Sequence, residues 1–103
     1  MNLIQILIER KQKIENLEQE VEGLRKELEH LYFTNFRGLK NWKRANTILC
    51  SKIRKVIYVP RMKLKGNKKL LYLNRQKEQL IELIKEAKNQ IEEIEIENMS
   101  KIG

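Results

Sequence analysis

The chain has 103 residues, of which 35% are charged, 41% apolar and 6% aromatic, and its formal net charge is +8. That length allows one domain with a narrow core, and the highly charged, aromatic-poor composition argues against a sheet sandwich, while regularly spaced apolar residues argue against wholesale disorder. A lone cysteine, Cys50, excludes an intramolecular disulfide and fits a reducing, cytoplasmic setting.

The start, MNLIQILIERK, does not read as a signal peptide, because its positive charges follow the apolar run, and no stretch approaches the roughly 20 apolar residues that span a bilayer. It opens instead a heptad pattern. Leu7, Ile14, Val21 and Leu28 occupy a, and Leu3, Leu17, Leu24 and Leu31 occupy d, with Arg10 the one interruption. The spacing predicts a helix over about 3–33, with Asn2 and Gln5 placed to cap its start. Branched residues at a with leucine at d favour a parallel homodimer through Leu7, Ile14, Leu17, Val21, Leu24, Leu28 and Leu31, with Lys13 facing Glu18 and Glu20 facing Arg25 of the second copy. The competing arrangement is an internal antiparallel hairpin with the C-terminal helix, which would bring Leu31 to Leu70. A heterotypic protein partner could use the same helix surfaces.

Asn35 and Gly38 mark a break. From Arg37 to Ile57 the residues Leu39, Trp42, Ala45, Ile48, Leu49, Ile53, Val56 and Ile57 fall on one half of a helical wheel, and Arg37, Lys40, Lys43, Arg44, Thr47, Ser51, Arg54 and Lys55 on the other, with Cys50 at the edge of the apolar stripe. Pro60 should end this basic amphipathic helix. A small β-hairpin near 56–73, turning at Gly66-Asn67, is the alternative reading of the region around Pro60, disfavoured by Lys65 facing Lys68. A second heptad run, Leu70, Ile84 and Ile91 at a and Leu73, Leu80, Ala87 and Ile94 at d, is broken by Lys77 and predicts a helix from about 68 or 74 to 98. Ile81 and Leu83 widen its stripe enough for two neighbours. The expected fold is mainly α, a single elongated helical domain over 1–103, with a coiled-coil helix over 1–33, a basic middle segment over 34–67 and a second long helix over 68–103.

Charge is segregated along the chain. Residues 1–33 carry net −2 and 78–103 net −4, whereas 34–77 carry +14 without one acidic residue. All six aromatics, Tyr32, Phe33, Phe36, Trp42, Tyr58 and Tyr72, lie in or beside that stretch. Lysine and arginine neutralise phosphates, and aromatic faces stack on unpaired bases, so the expected function is nucleic-acid binding, DNA before RNA, through Arg37, Lys40, Lys43, Arg44, Arg54, Lys55, Arg61, Lys63, Lys65, Lys68 and Lys69. Asn41 and Asn46 are further candidates for base or phosphate contacts. The plainer reading makes the aromatics a local core at the helix ends. A basic amphipathic helix also suits a membrane surface, but packing against two long helices claims its apolar face.

No enzyme is expected. His30, the one histidine, sits at an outer c position, and one His with one Cys cannot build an ordinary zinc site. Gly66-Asn67-Lys68-Lys69 lacks the rest of a phosphate-binding loop, and the glutamates read as solvated helix faces, so no cofactor is implied. The fourteen acidic residues are all glutamate, and abundant Ile, Lys and Asn imply AT-rich coding DNA of a low-GC bacterium, phage or other mobile element. From that context comes an alternative function, a small phage or mobile-element protein that binds and inhibits or redirects another protein such as a nucleic-acid enzyme or repressor.

Overall fold

The computed structural model describes residues 2–36, 44–58 and 63–102. They form three helices, α1 (Leu3–Leu31), α2 (Arg44–Ile57) and α3 (Gly66–Ile102), with a π-helical turn, Tyr32–Phe36, continuing α1. Among the described residues there is no strand, so the mainly α expectation holds and the hairpin near 56–73 does not form. Its first residues close α2 and its turn and second arm lie in α3. The turn signal at Gly66 had a different cause. Gly66 has φ +64°, a left-handed conformation that glycine adopts without steric cost, and it serves as the entry into α3.

At the start of α1, Asn2 caps as expected, its Oδ1 accepting the Ile4 backbone N–H at 3.0 Å. The helix does not break at Asn35. It widens into the π-turn, where Asn35 Nδ2 donates to the Leu31 carbonyl at 3.1 Å, and both Tyr32 and Phe36 turn into the core.

Three ion pairs show the direction of α1 against α3. Glu18 meets Lys69, Glu20 meets Lys77 at 2.8 Å and Glu27 meets Lys88 at 3.3 Å, so the sequence numbers rise together and the two helices run parallel. The antiparallel hairpin, with Leu31 beside Leu70 and the basic segment at its tip, is therefore not the arrangement. Parallel neighbours cannot be joined by a tight turn, and the chain must travel back along the pair before α3 begins. The 14 residues of α2, about 21 Å of helix, lie in that return and pack on both partners.

The core is one continuous cluster. Leu17, Val21, Leu28, Tyr32 and Phe36 meet Leu73, Leu80, Leu83, Ile84 and Ala87 of α3 and Leu49, Cys50, Ile53 and Val56 of α2, flanked by half-buried Ile14, Leu24, Leu31, Ile57, Leu70, Ile91 and Ile94. With the exceptions of Leu3 and Leu7, every apolar a or d position of both heptad runs is thus spent within the chain. α3 touches both other helices, as its widened stripe requires, though Leu83 is buried and Ile81 stays half exposed.

The long helices are staggered. The molecule extends 67 Å along its axis, whereas the 37 residues of α3 account for about 55 Å. The difference is roughly eight residues of α1 reaching past the start of α3, consistent with Gly66 lying beside Lys11, Ile14 and Glu15. Leu3, Ile4, Leu7 and Ile8, all in that overhang, are each more than half exposed.

Truncating fully buried Leu28 or Leu80 to alanine should cost about 2–5 kcal/mol, because each leaves a cavity that the packed helices cannot fill. Leu7→Ala, in dilute solution, should change stability by less than about 0.5 kcal/mol. Urea denaturation of the three variants measures this, and a loss at Leu7 equal to that at Leu28 would contradict the stagger.

Candidate nucleic-acid interface

α2 exposes what the core does not use. Asn46, Leu49, Cys50, Ile53 and Val56 point inward at helical spacing, which turns Ser51, Lys52, Arg54 and Lys55 out to solvent. The rotation differs slightly from the wheel predicted from sequence. Ile48 is 49% exposed, whereas Cys50, expected at the edge, is fully buried. Asn46 is likewise buried, so it is not available for base or phosphate contact from this face.

Beyond α2, Lys63 and Lys65 are exposed in the connection, and Lys68 is exposed in the first turn of α3. That first turn holds no acidic residue although a helix N-terminus favours one, so the dipole and the lysines add their positive potentials. Lys69 is different. It is half-buried and paired with Glu18, which spends its charge on the α1–α3 contact. Lys77, in the same acid-free stretch, is spent on Glu20 in the same way. Such partly exposed pairs stabilise little, but they remove cations from the candidate face. Arg37, Lys40, Lys43 and Arg61, with Asn41, Trp42 and Pro60, lie outside the described residues, and Arg44 is placed only as the first residue of α2. Lys52, which belongs to the basic stretch but was not among the binding residues expected from sequence, joins Arg54 and Lys55 on the outer face.

The aromatics divide. Tyr32 and Phe36 are core residues, Phe33 stands edge-on to Tyr32 with ring centroids 5.1 Å apart, and Tyr72 is half-buried in a groove between α1 and α3. Among the described residues, Phe33 is 40% exposed, and Tyr58, 63% exposed at the end of α2, shares the basic surface. The plainer reading of the aromatics therefore holds for Tyr32 and Phe36.

The oligomer residues expected from sequence also divide. Leu17, Val21 and Leu28 are buried by the chain itself, Ile14, Leu24 and Leu31 pack on the core, and Leu7 remains exposed. Glu18 and Glu20, expected to face Lys13 and Arg25 of a second copy, face Lys69 and Lys77 instead. His30 is exposed, and no helix among the described residues is long and apolar enough to cross a membrane. No family model, curated protein or solved structure matches the chain.

Burial pushes the Cys50 thiol up to about 11, with the Arg54 guanidinium opposing the shift. A thiol raised in the folded state keeps its proton where the unfolded chain has begun to lose it, so its contribution to stability is present at neutral pH and is lost as pH rises from about 9 towards 11. The folded protein at pH 8 should accordingly react with an aromatic disulfide reagent at least about a hundredfold more slowly than the urea-unfolded chain. Equal rates in the two states would show that the packing of α2 on α1 and α3 does not cover Cys50.

Proposed function

We propose that this protein binds nucleic acid, duplex in preference to single strand, by cradling backbone phosphates with α2 and the segment leading into α3. The observation that carries the reading is the row of exposed cations, Lys52, Arg54, Lys55, Lys63, Lys65 and Lys68, in a 44-residue stretch without an acid. A stretch without acids concentrates positive potential where a mixed one would cancel it, and the glutamates of α1 meet this stretch at its Lys65–Lys69 end, where Glu15 and Glu18 lie. Tyr32 and Phe36 are withdrawn into the core, which takes two of the six rings away from stacking on unpaired bases and leaves the cations as the main contact, to a phosphate backbone.

Six such contacts give a slope of log affinity against log salt near −5 on duplex DNA. Fluorescence anisotropy with a labelled duplex and a single strand of equal length, between about 50 and 200 mM salt, measures it. Lys52→Gln, Arg54→Gln and Lys55→Gln together should flatten the slope by about 2–3, whereas Lys26→Gln with Lys85→Gln, exposed elsewhere, should leave it unchanged. Absence of binding to duplex, single strand and structured RNA alike would overturn the proposal. In that event, stoichiometric capture of one acidic protein from nuclease-treated lysate would assign the same face to the inhibitor or adaptor function.

A further inference from the structure

The stagger leaves α1 and α3 each with an end that lacks the other. At one end α1 projects about two turns past Gly66, carrying Leu3, Ile4, Leu7 and Ile8, each between 51% and 71% exposed, followed by Arg10, Lys11 and Lys13. These apolar residues amount to a patch on the order of a few hundred Å², the size at which soluble proteins ordinarily use such a surface. Leu3 and Leu7 also continue the a and d positions that α3 covers further along, so the patch is the uncovered end of an interface already in use.

At the other end α3 outruns the π-turn. The 34 residues of α1 and that turn span about 51 Å, so with the offset at the start roughly the last ten residues of α3 extend beyond them. This tail has the opposite character. Glu92, Glu93, Glu95 and Glu97 stand among isoleucines with no lysine or arginine between 89 and 100, and Ile96 and Met99 are 57% and 72% exposed.

We propose that the α1 overhang of one copy docks on the α3 tail of a second copy, and that two such contacts close a two-fold dimer. The order of residues along each helix fixes the orientation. α1 runs from apolar to basic, whereas the α3 tail runs from acidic to its apolar Met99. Only an antiparallel pairing sets Leu3, Ile4, Leu7 and Ile8 against Ile96 and Met99 while Arg10, Lys11 and Lys13 meet Glu92, Glu93 and Glu95. That pairing also lays the helix dipoles head to tail. Since overhang and tail sit at opposite ends of a 67 Å molecule, two copies side by side in opposite directions make both contacts at once. Neither contact disturbs the core, and neither depends on what the basic face of α2 binds.

The test is a charge exchange. One variant carries Arg10→Glu, Lys11→Glu and Lys13→Glu; the other carries Glu92→Lys, Glu93→Lys and Glu95→Lys. All six side chains are exposed and lie outside the α1–α3 ion pairs, so circular dichroism should show both variants folded. Sedimentation equilibrium at tens of micromolar should give a dimer for the unaltered chain, at least about tenfold weaker association for each variant alone, and a restored dimer for their equimolar mixture. Leu7→Ser should weaken the dimer without touching its charges. A tail variant that dimerises like the unaltered chain, or a mixture that fails to recover, would overturn the docking, and a ladder of species beyond the dimer would overturn its two-fold closure. An unaltered chain that stays monomeric would also overturn it, and binding of that monomer to anionic lipid vesicles would assign the overhang to a membrane surface.

Discussion

The apolar seam between α1 and α3 is the contact on which the rest of the molecule depends. Leu17, Val21 and Leu28 on one side and Leu73, Leu80, Ile84 and Ala87 on the other close a narrow interface, and the ion pairs along its edge show both helices pointing the same way. A parallel pair imposes a long connection, which must cross the length of the seam. α2 occupies that connection, buries Leu49, Cys50, Ile53 and Val56 on the pair, and has only its outer face left for solvent. Lys52, Arg54 and Lys55 are thus displayed along the flank of a bundle, not at the tip of a hairpin.

Much of this was legible in the residues. The heptad positions of both long runs locate the core with few errors, because burial at a and d requires only that some helix lie against them. Direction was not legible from that pattern, since an a/d stripe reads equally well against a parallel or an antiparallel neighbour. It shows in pairs of charges more than fifty residues apart, Glu18, Glu20 and Glu27 with Lys69, Lys77 and Lys88, which sequence spacing cannot match. The preference of branched residues at a for parallel packing was present, and within the chain it is α3 that lies along that seam. At Gly66 the residue type correctly signalled a left-handed backbone and did not distinguish a strand from a helix after it.

The candidate interface shows a similar division. An acid-free stretch is visible in any reading of the sequence, yet which of its cations remain available depends on the fold. Lys69 and Lys77 are drawn into the α1–α3 contact, Lys52 gains an outward position, and Asn46 disappears into the core. Cys50 illustrates the limit of a helical wheel. A shift of a fraction of a turn moved it from the border of the stripe to full burial and left Ile48 outside. Two demands act on α2 together, packing against a two-helix groove on one side and carrying unneutralised charge on the other, and its sequence meets both because helical periodicity keeps them on opposite faces.

The whole arrangement rests on α1 and α3 being parallel, and one distance decides it. Spin labels at exposed positions 30 and 92, in a chain with Cys50 replaced by alanine and diluted with unlabelled protein, probe that alignment within single molecules. In the parallel arrangement the two sites stand at nearly the same height, separated by about 10–20 Å across adjacent helices. Pulsed dipolar spectroscopy should find a distribution centred there. A separation near 30 Å, roughly the axial offset that an antiparallel hairpin imposes on these positions, would contradict the parallel alignment.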